Sequence, residues 1–237
     1  MTASLTAFWV VIPAAGSGRR MGPMAIPKQY LRIGDRSVIE HAIAPFIARP
    51  DCRGVIVALG TDDEHWRALP ISEHADIRTV SGGAERVDSV RAGLNALAAL
   101  AQPSDWVLVH DAARPCLDVG DLDRLLTELA DDEVGGLLAA PNVDTLKRAD
   151  DSGRVRETTD RTNLWRALTP QMFRLATLRR ALDSARERGA MTTDESQAVE
   201  ALGLRPKLVA GSADNIKITL VDDIARAERI LSSRNRS

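Results

Sequence analysis

The stretch Trp9–Tyr30, WVVIPAAGSGRRMGPMAIPKQY, decides how the rest of the chain is read. An apolar, β-branched run ends in a glycine-rich turn, two arginines follow, and Pro-Lys-Gln comes shortly after. Gly16 and Gly18 carry no Cβ, so the backbone can turn tightly there and approach a ligand. The N–H groups of such a turn form an anion-binding concavity. Arg19, Arg20 and Lys28 add full positive charges to it, and a triphosphate is the natural occupant. Two common nucleotide signatures fail on this loop. The third glycine of G-x-G-x-x-G is replaced by Met21, and Gly22 is followed by Pro23 where the Walker pattern needs lysine.

Outward from this loop, short β-branched runs alternate with longer helical patterns. FWVVIPA, GVIVALG, IRTVSGG, WVLVHDAARP and GGLLAAP read as strands. Between them, SVIEHAIAPFIA opens with a capping box from Ser37 to Glu40 and reads as a helix. In ERVDSVRAGLNALAAL the residues Val87, Val90, Leu94 and Leu97 recur at helical spacing, and GDLDRLLTELADD is a further helix. The alternation predicts βαβ units, hence a Rossmann-like α/β fold with a mainly parallel sheet and helices on both faces. Ligands of such sheets bind beyond the carboxyl ends of the strands. Both the glycine turn and HDAARP fall there.

The segment from Val143 to Arg161 breaks the rhythm. Two polar, strand-like arms flank an Asp-Asp-Ser-Gly turn, with too little apolar content for a core of their own, so a projecting β-arm is expected. Beyond it the sequence predicts a helix from Pro170 and another after TTDE, with a capping box from Thr192 to Glu195. The strand KLVAG, the segment NIKITL and a closing helix VDDIARAERIL follow. No repeat, low-complexity tract or linker divides the chain, so one domain of 237 residues with an arm is the simplest organisation.

Composition narrows the function classes. Aromatic residues are only 3% of the chain, which argues against base-stacking platforms for single-stranded nucleic acid. A net charge of −2 lacks the basic footprint of a nucleic-acid binder, so the positive charges act locally. Cys52 and Cys116 show no paired spacing, and the four histidines do not cluster, so neither a disulfide framework nor a metal-ligand pattern is indicated. The apolar start lacks a charged n-region, and no apolar run is long enough to span a bilayer. A soluble cytoplasmic protein is expected.

PAAGSGRRM with PKQY resembles the signature of sugar-nucleotide-type nucleotidylyltransferases. Four further segments, GGAERVDSV, VHDAARP, ALTPQMF with TTDE, and ADNIKIT, occur in an order and spacing that resemble the 2-C-methyl-D-erythritol 4-phosphate cytidylyltransferase family of the non-mevalonate isoprenoid pathway. The resemblance runs from about Val10 to Ala227. It departs in one additional residue between Arg20 and Lys28, in Ala84 where an acidic residue is often found, and in TDR where valine often precedes Asp-Arg.

The resemblance implies attack of a substrate phosphate on the α-phosphorus of CTP, with pyrophosphate expelled and Mg²⁺ present. Arg20 and Lys28 would hold the triphosphate and stabilise the transition state, while Lys217 would orient the acceptor phosphate. The CTP site would comprise Ala14, Ala15, Gly16, Ser17, Gly18 and Arg19, with Gly82, Gly83 and Ser89 at the cytosine edge and Asp111 beside them. The acceptor would meet Asp111, Arg114, Thr145, Arg161, Thr169, Thr193 and Lys217. Asp111, at a strand end, suits a contact to Mg²⁺ or to a substrate hydroxyl. His110 reads as a packed histidine, and Arg114 as either a polar contact or an ion-pair partner. The resemblance further implies a homodimer whose arms complete each other's sites. A ribitol 5-phosphate cytidylyltransferase and a non-catalytic nucleotide-binding protein are the alternatives.

Overall fold

The structure is a computed structural model and describes residues 6–16 and 26–234. The elements follow in order. β1 (Phe8–Pro13) leads to a small antiparallel hairpin, β2 (Arg32–Ile33) and β3 (Arg36–Ser37), and then α1 (Val38–Ile47), β4 (Cys52–Leu59) and β5 (Ile77–Ser81). After α2 (Arg86–Leu97) come β6 (Trp106–Val109), α3 (Val119–Leu129), β7 (Gly135–Pro141) and the arm strands β8 (Leu146–Ala149) and β9 (Val155–Thr159). The chain continues through β10 (Trp165–Arg174), α4 (Leu175–Glu187), α5 (Glu195–Glu200), β11 (Lys207–Ala210) and α6 (Asp222–Arg234).

Seven strands form one sheet in the order β11-β7-β10-β6-β1-β4-β5. All neighbours pair in parallel except β10, which lies antiparallel between β6 and β7. Side chains alternate across each strand, and this explains the unbroken apolar runs. Phe8, Val10, Ile12, Val55, Val57 and Leu108 pack with Ile39, Ile43 and Phe46 of α1 and Leu122 and Leu125 of α3. Val11, Ile56, Val107 and Val109 pack on the other face with Val90 and Leu94 of α2, Leu178 and Leu182 of α4 and Val199 of α5. Both faces are covered, as a mainly parallel sheet requires. At Gly93 α2 touches the sheet so closely that a Cβ would come within 2.6 Å of Val11 Cγ1.

The capping box at Ser37 forms as the sequence predicts, with Glu40 bonding the Ser37 backbone N at 2.8 Å. Two expectations need correction. No helix begins at Pro170, which is an interior residue of β10. Pairing of β10 with β7 breaks register between Ala167 and Gln171, and pairing with β6 begins at Gln171. Pro170 therefore sits where neither neighbour needs an N–H donor. Nor does Thr192 cap the next helix: Asp194 is the N-cap of α5, accepting from Gln197 N at 3.0 Å, while Glu195 turns inward. NIKITL forms no strand.

The arm is a two-stranded sheet of its own, with Leu146 opposite Thr159 and Lys147 opposite Thr158. Asp150 fixes its turn by accepting from Ser152 N and Arg154 N, and Gly153 takes the left-handed φ of 77° there. Every β8 side chain is exposed, as are Val143 and Val155.

Candidate active site

At the carboxyl ends of β1 and β6 lies an open cavity of about 310 Å³. Its walls are Pro13 to Gly16, Lys28 and Gln29, Gly83 to Arg86, Ser89, Asp111 to Ala113, Lys217 and Thr219. Each wall is placed by bonds that the local sequence makes available.

The backbone from Ala14 to Gly16 hangs from the sheet and from Gln29. Ala14 N donates to Ala58 O at 2.8 Å, and buried Gln29 donates through Nε2 to Ala14 O at 2.9 Å and Gly16 O at 3.4 Å. Ser17, Gly18, Arg19 and Arg20, assigned to the triphosphate, lie outside the described residues. Lys28 follows Pro27 in a short 3-10 turn and reaches across the cavity, its Nζ donating to Ile218 O at 2.8 Å.

The opposite wall is the turn before α2. Gly82 N donates to Leu59 O and Gly83 N to Ser89 Oγ at 3.2 Å. A Cβ on Gly82 would lie 2.6 Å from Ala15 Cβ and 2.8 Å from Ser89 Oγ, so glycine alone lets these two groups meet. Gly82 thus shapes the pocket without lining it.

HDAARP is locked onto β10. Asp111 N donates to Thr169 Oγ1 at 3.1 Å, and that hydroxyl lies 3.0 Å from His110 Nδ1. The network assigns the hydroxyl as donor to Nδ1, which leaves Nε2–H for Arg114 O at 3.1 Å. Burial pushes the imidazole down to about 4, so it is neutral and structural at ordinary pH. Thr169 is accordingly buried and occupied by internal bonds, rather than presenting its hydroxyl to the cavity as the substrate-contact expectation requires.

Lys217 arrives from the far end of the sequence. Asn215 Nδ2 donates to Thr169 O at 2.7 Å, Arg114 Nη1 to Asn215 O at 2.6 Å, and Ile218 N to Ala113 O at 2.8 Å. Ile216 and Ile218 are buried in a cluster with Val38 and Ala227, so the intervening lysine faces the cavity. Its Nζ lies 2.8 Å from Asp111 Oδ2.

Asp111 is the electrostatic centre. Burial alone would raise its carboxyl. Arg86 at 2.7 Å, Lys217 at 2.8 Å and Arg114 at 3.5 Å instead hold it well below the usual carboxylate range. Burial pulls Arg114 below its ordinary value, and with one nitrogen on Asn215 O it belongs more to the wall than to the cavity. Arg86, for which no motif in the sequence implies a role, also carries the carboxylate of Glu195. Among the described residues, no group of three or more His, Cys, Asp or Glu side chains could hold a metal ion.

Of the remaining expected residues, Thr145 and Arg161 lie on the exposed arm, where Arg161 Nη1 bonds Val143 O, and neither lines the cavity of its own chain. Thr193 is exposed and donates from N and Oγ1 to Gln197 Oε1.

A mainly parallel sheet with a glycine-rich segment after its first strand, and with Lys28 and Lys217 bordering one cavity that also holds the Asp111 carboxylate, is the arrangement of a nucleotidyltransferase. Comparisons with known proteins narrow this class. The family model of 2-C-methyl-D-erythritol 4-phosphate cytidylyltransferase (IspD) matches residues 8–233. The proteins of that name from Pseudomonas aeruginosa (strain UCBPP-PA14) and Ectopseudomonas mendocina (strain ymp) are 55% and 52% identical to this chain. The first match covers 96% of this chain and 97% of the relative, the second 98% of each. A crystal structure of 4-diphosphocytidyl-2C-methyl-D-erythritol synthase superposes with a TM-score of 0.82 at 36% identity, over 95% of this chain and 98% of that one. The Francisella tularensis enzyme gives 0.81 at 33%, over 94% and 99%. The chain belongs to the 2-C-methyl-D-erythritol 4-phosphate cytidylyltransferase family.

Proposed function

We propose that the chain transfers a cytidylyl group from CTP to 2-C-methyl-D-erythritol 4-phosphate, giving 4-diphosphocytidyl-2-C-methyl-D-erythritol and pyrophosphate. An oxygen of the acceptor phosphate attacks the α-phosphorus, and the bond from that phosphorus to the bridging oxygen of pyrophosphate breaks. The attacking oxygen is already anionic, so no general base is needed. The obstacles are bringing two anions together and holding charge on the reacting phosphorus, and both are met by positioning and positive charge. One observation carries the reading: Lys28 bonds the carbonyl of Ile218, the residue next to Lys217, so the two lysines border one cavity.

Lys28, with Arg20 of the glycine-rich sequence before it, takes the triphosphate, and Lys217 takes the acceptor phosphate. The Ala14–Gly16 backbone and the turn with Gly83 and Ser89 frame the base. The donor set fits Mg²⁺ brought in on phosphate oxygens, with Asp111 as a supporting carboxylate, and does not form a cage for a resident metal. When bound, such an ion neutralises phosphate charge. Asp111 and Lys217 form a pair that loosens when Lys217 takes an incoming phosphate.

The chain works as a cytoplasmic homodimer of single-domain subunits, each arm reaching the partner's acceptor site with Thr145 and Arg161. What supports this is the arm's lack of cover: Val143 is 75% and Val155 64% exposed, and an isolated two-stranded hairpin is marginal in water. A two-fold contact supplies the missing surface. Pyrophosphate release from each of the four NTPs, with methylerythritol phosphate and ribitol 5-phosphate as acceptors, tests the reaction. CTP with methylerythritol phosphate should give the highest kcat/KM. Higher kcat/KM on ribitol 5-phosphate would replace the acceptor.

A further inference from the structure

Glu195 is 2% exposed and sits at the first position of α5, behind the cavity. The Arg86 fork satisfies it, Nη1 to Oε1 at 2.6 Å and Nη2 to Oε2 at 3.1 Å. That geometry leaves the Arg86 Nε–H, which donates to Asp111 Oδ1 at 2.7 Å. With Oδ1 taken, Oδ2 is the oxygen that faces Lys217 Nζ at 2.8 Å. Four side chains of alternating sign therefore run from the base of α5 to the cavity. Burying such a pair is poor stabilisation, since apolar side chains of similar size often serve as well or better. Arg86 also occupies the first position of α2, where the helix dipole disfavours a cation. Its place there answers to the carboxylates.

We propose that Glu195 and Arg86 are a positioning pair: Glu195 fixes the guanidinium, which orients the Asp111 carboxylate and, through it, Lys217 at the acceptor phosphate. The inference rests on the acceptor role of Lys217 given above. It requires a planar fork that holds two carboxylates at once, which a lysine lacks.

Three variants test it: Glu195→Gln, Arg86→Lys, and Arg86→Met combined with Glu195→Met. For each, kcat and KM are measured for both substrates, together with Tm. Glu195→Gln should lower kcat/KM for the acceptor about 10- to 100-fold, as for a slightly misplaced reacting group, with KM for CTP changed less than about threefold. Arg86→Lys should fail to rescue. The double methionine chain removes both buried charges and should melt near the parent, yet keep the acceptor defect. Recovery of parental kcat/KM along with Tm in that chain would overturn the proposal. So would a Glu195→Gln protein with parental kinetics, or one whose CTP and acceptor parameters fall together with Tm. If the double variant does not fold, the Glu195→Gln split between CTP and acceptor decides. A parent that prefers another acceptor overturns the substrate assignment, and the variant-to-parent ratio on that acceptor still decides the pair.

Discussion

Lowering the pH from about 7 to about 5 should destabilise this protein through one residue, His110. Its imidazole is fully buried, with Nδ1 on the Thr169 hydroxyl and Nε2 on Arg114 O. Burial lowers it from 6.5 to about 4. The unfolded chain takes up this proton as pH falls through 6.5, and the folded chain only near 4. The stability contributed by neutral His110 is therefore whole above 6.5 and is lost progressively between 6.5 and 4. At pH 5 the loss works out at about 2 kcal/mol, or about 4–8 °C in Tm for a chain of this length. Asp111 does not confuse the window, because its depressed carboxyl loses its contribution only below the ordinary 3.8. Denaturant unfolding of the parent and of His110→Gln across this range is the assay, and the comparison is of slopes, since the substitution itself costs stability at every pH. The parent should fall by about 2 kcal/mol more than the variant. Coincident slopes would refute the reasoning.

Removing a positioned donor to a transition-state anion typically costs about 10²–10³ in kcat, and Lys28→Ala and Lys217→Ala should each lose at least that while remaining folded at the assay temperature. Near-parental turnover in either would remove its assignment. Arg161→Ala and Lys217→Ala chains, mixed and allowed to exchange, should regain about a quarter of parental activity if sites are shared between subunits. No regain despite demonstrated exchange would return each site to a single chain. Gly93→Ala should destabilise by about 1–3 kcal/mol, as overpacking does, because its Cβ would meet Val11 at 2.6 Å. An unchanged Tm would mean that α2 shifts freely.

Much of the fold was readable because it depends on local pattern. Strands buried on both faces, such as Val107–Val109, read as unbroken apolar runs, and the Ser37 box is closed by a neighbour three residues away. What failed depends on distant partners. Pro170 has the look of a helix start, and only the pairing of β10 with β6 and β7 shows that its missing N–H is not wanted. The TTDE spacing imitates a capping box, but Glu195 is drawn away by Arg86, 109 positions earlier. The role of Gln29 is not legible in PKQ, because its partners are the carbonyls of Ala14 and Gly16, 15 and 13 positions earlier, and no spacing points to them. Arg86 did leave a trace: an arginine opening a helix has the wrong charge for that end, and such a misfit asks for carboxylates nearby.

The bond from Lys28 to Ile218 joins segments 190 positions apart, and this has a consequence during synthesis. The glycine turn leaves the ribosome early, yet its cavity has no far wall until the segment Asn215–Thr219 follows. At about 5–20 residues per second that interval is about 10–40 s. For that time the nascent chain carries cationic groups suited to phosphate with no Asp111–Lys217 pair beside them. A chain ended just before Asn215 would retain all seven strands of the main sheet and lack one side of its cavity. Completion of the sheet and acquisition of activity are thus separate events, and the second waits for the last tenth of the molecule.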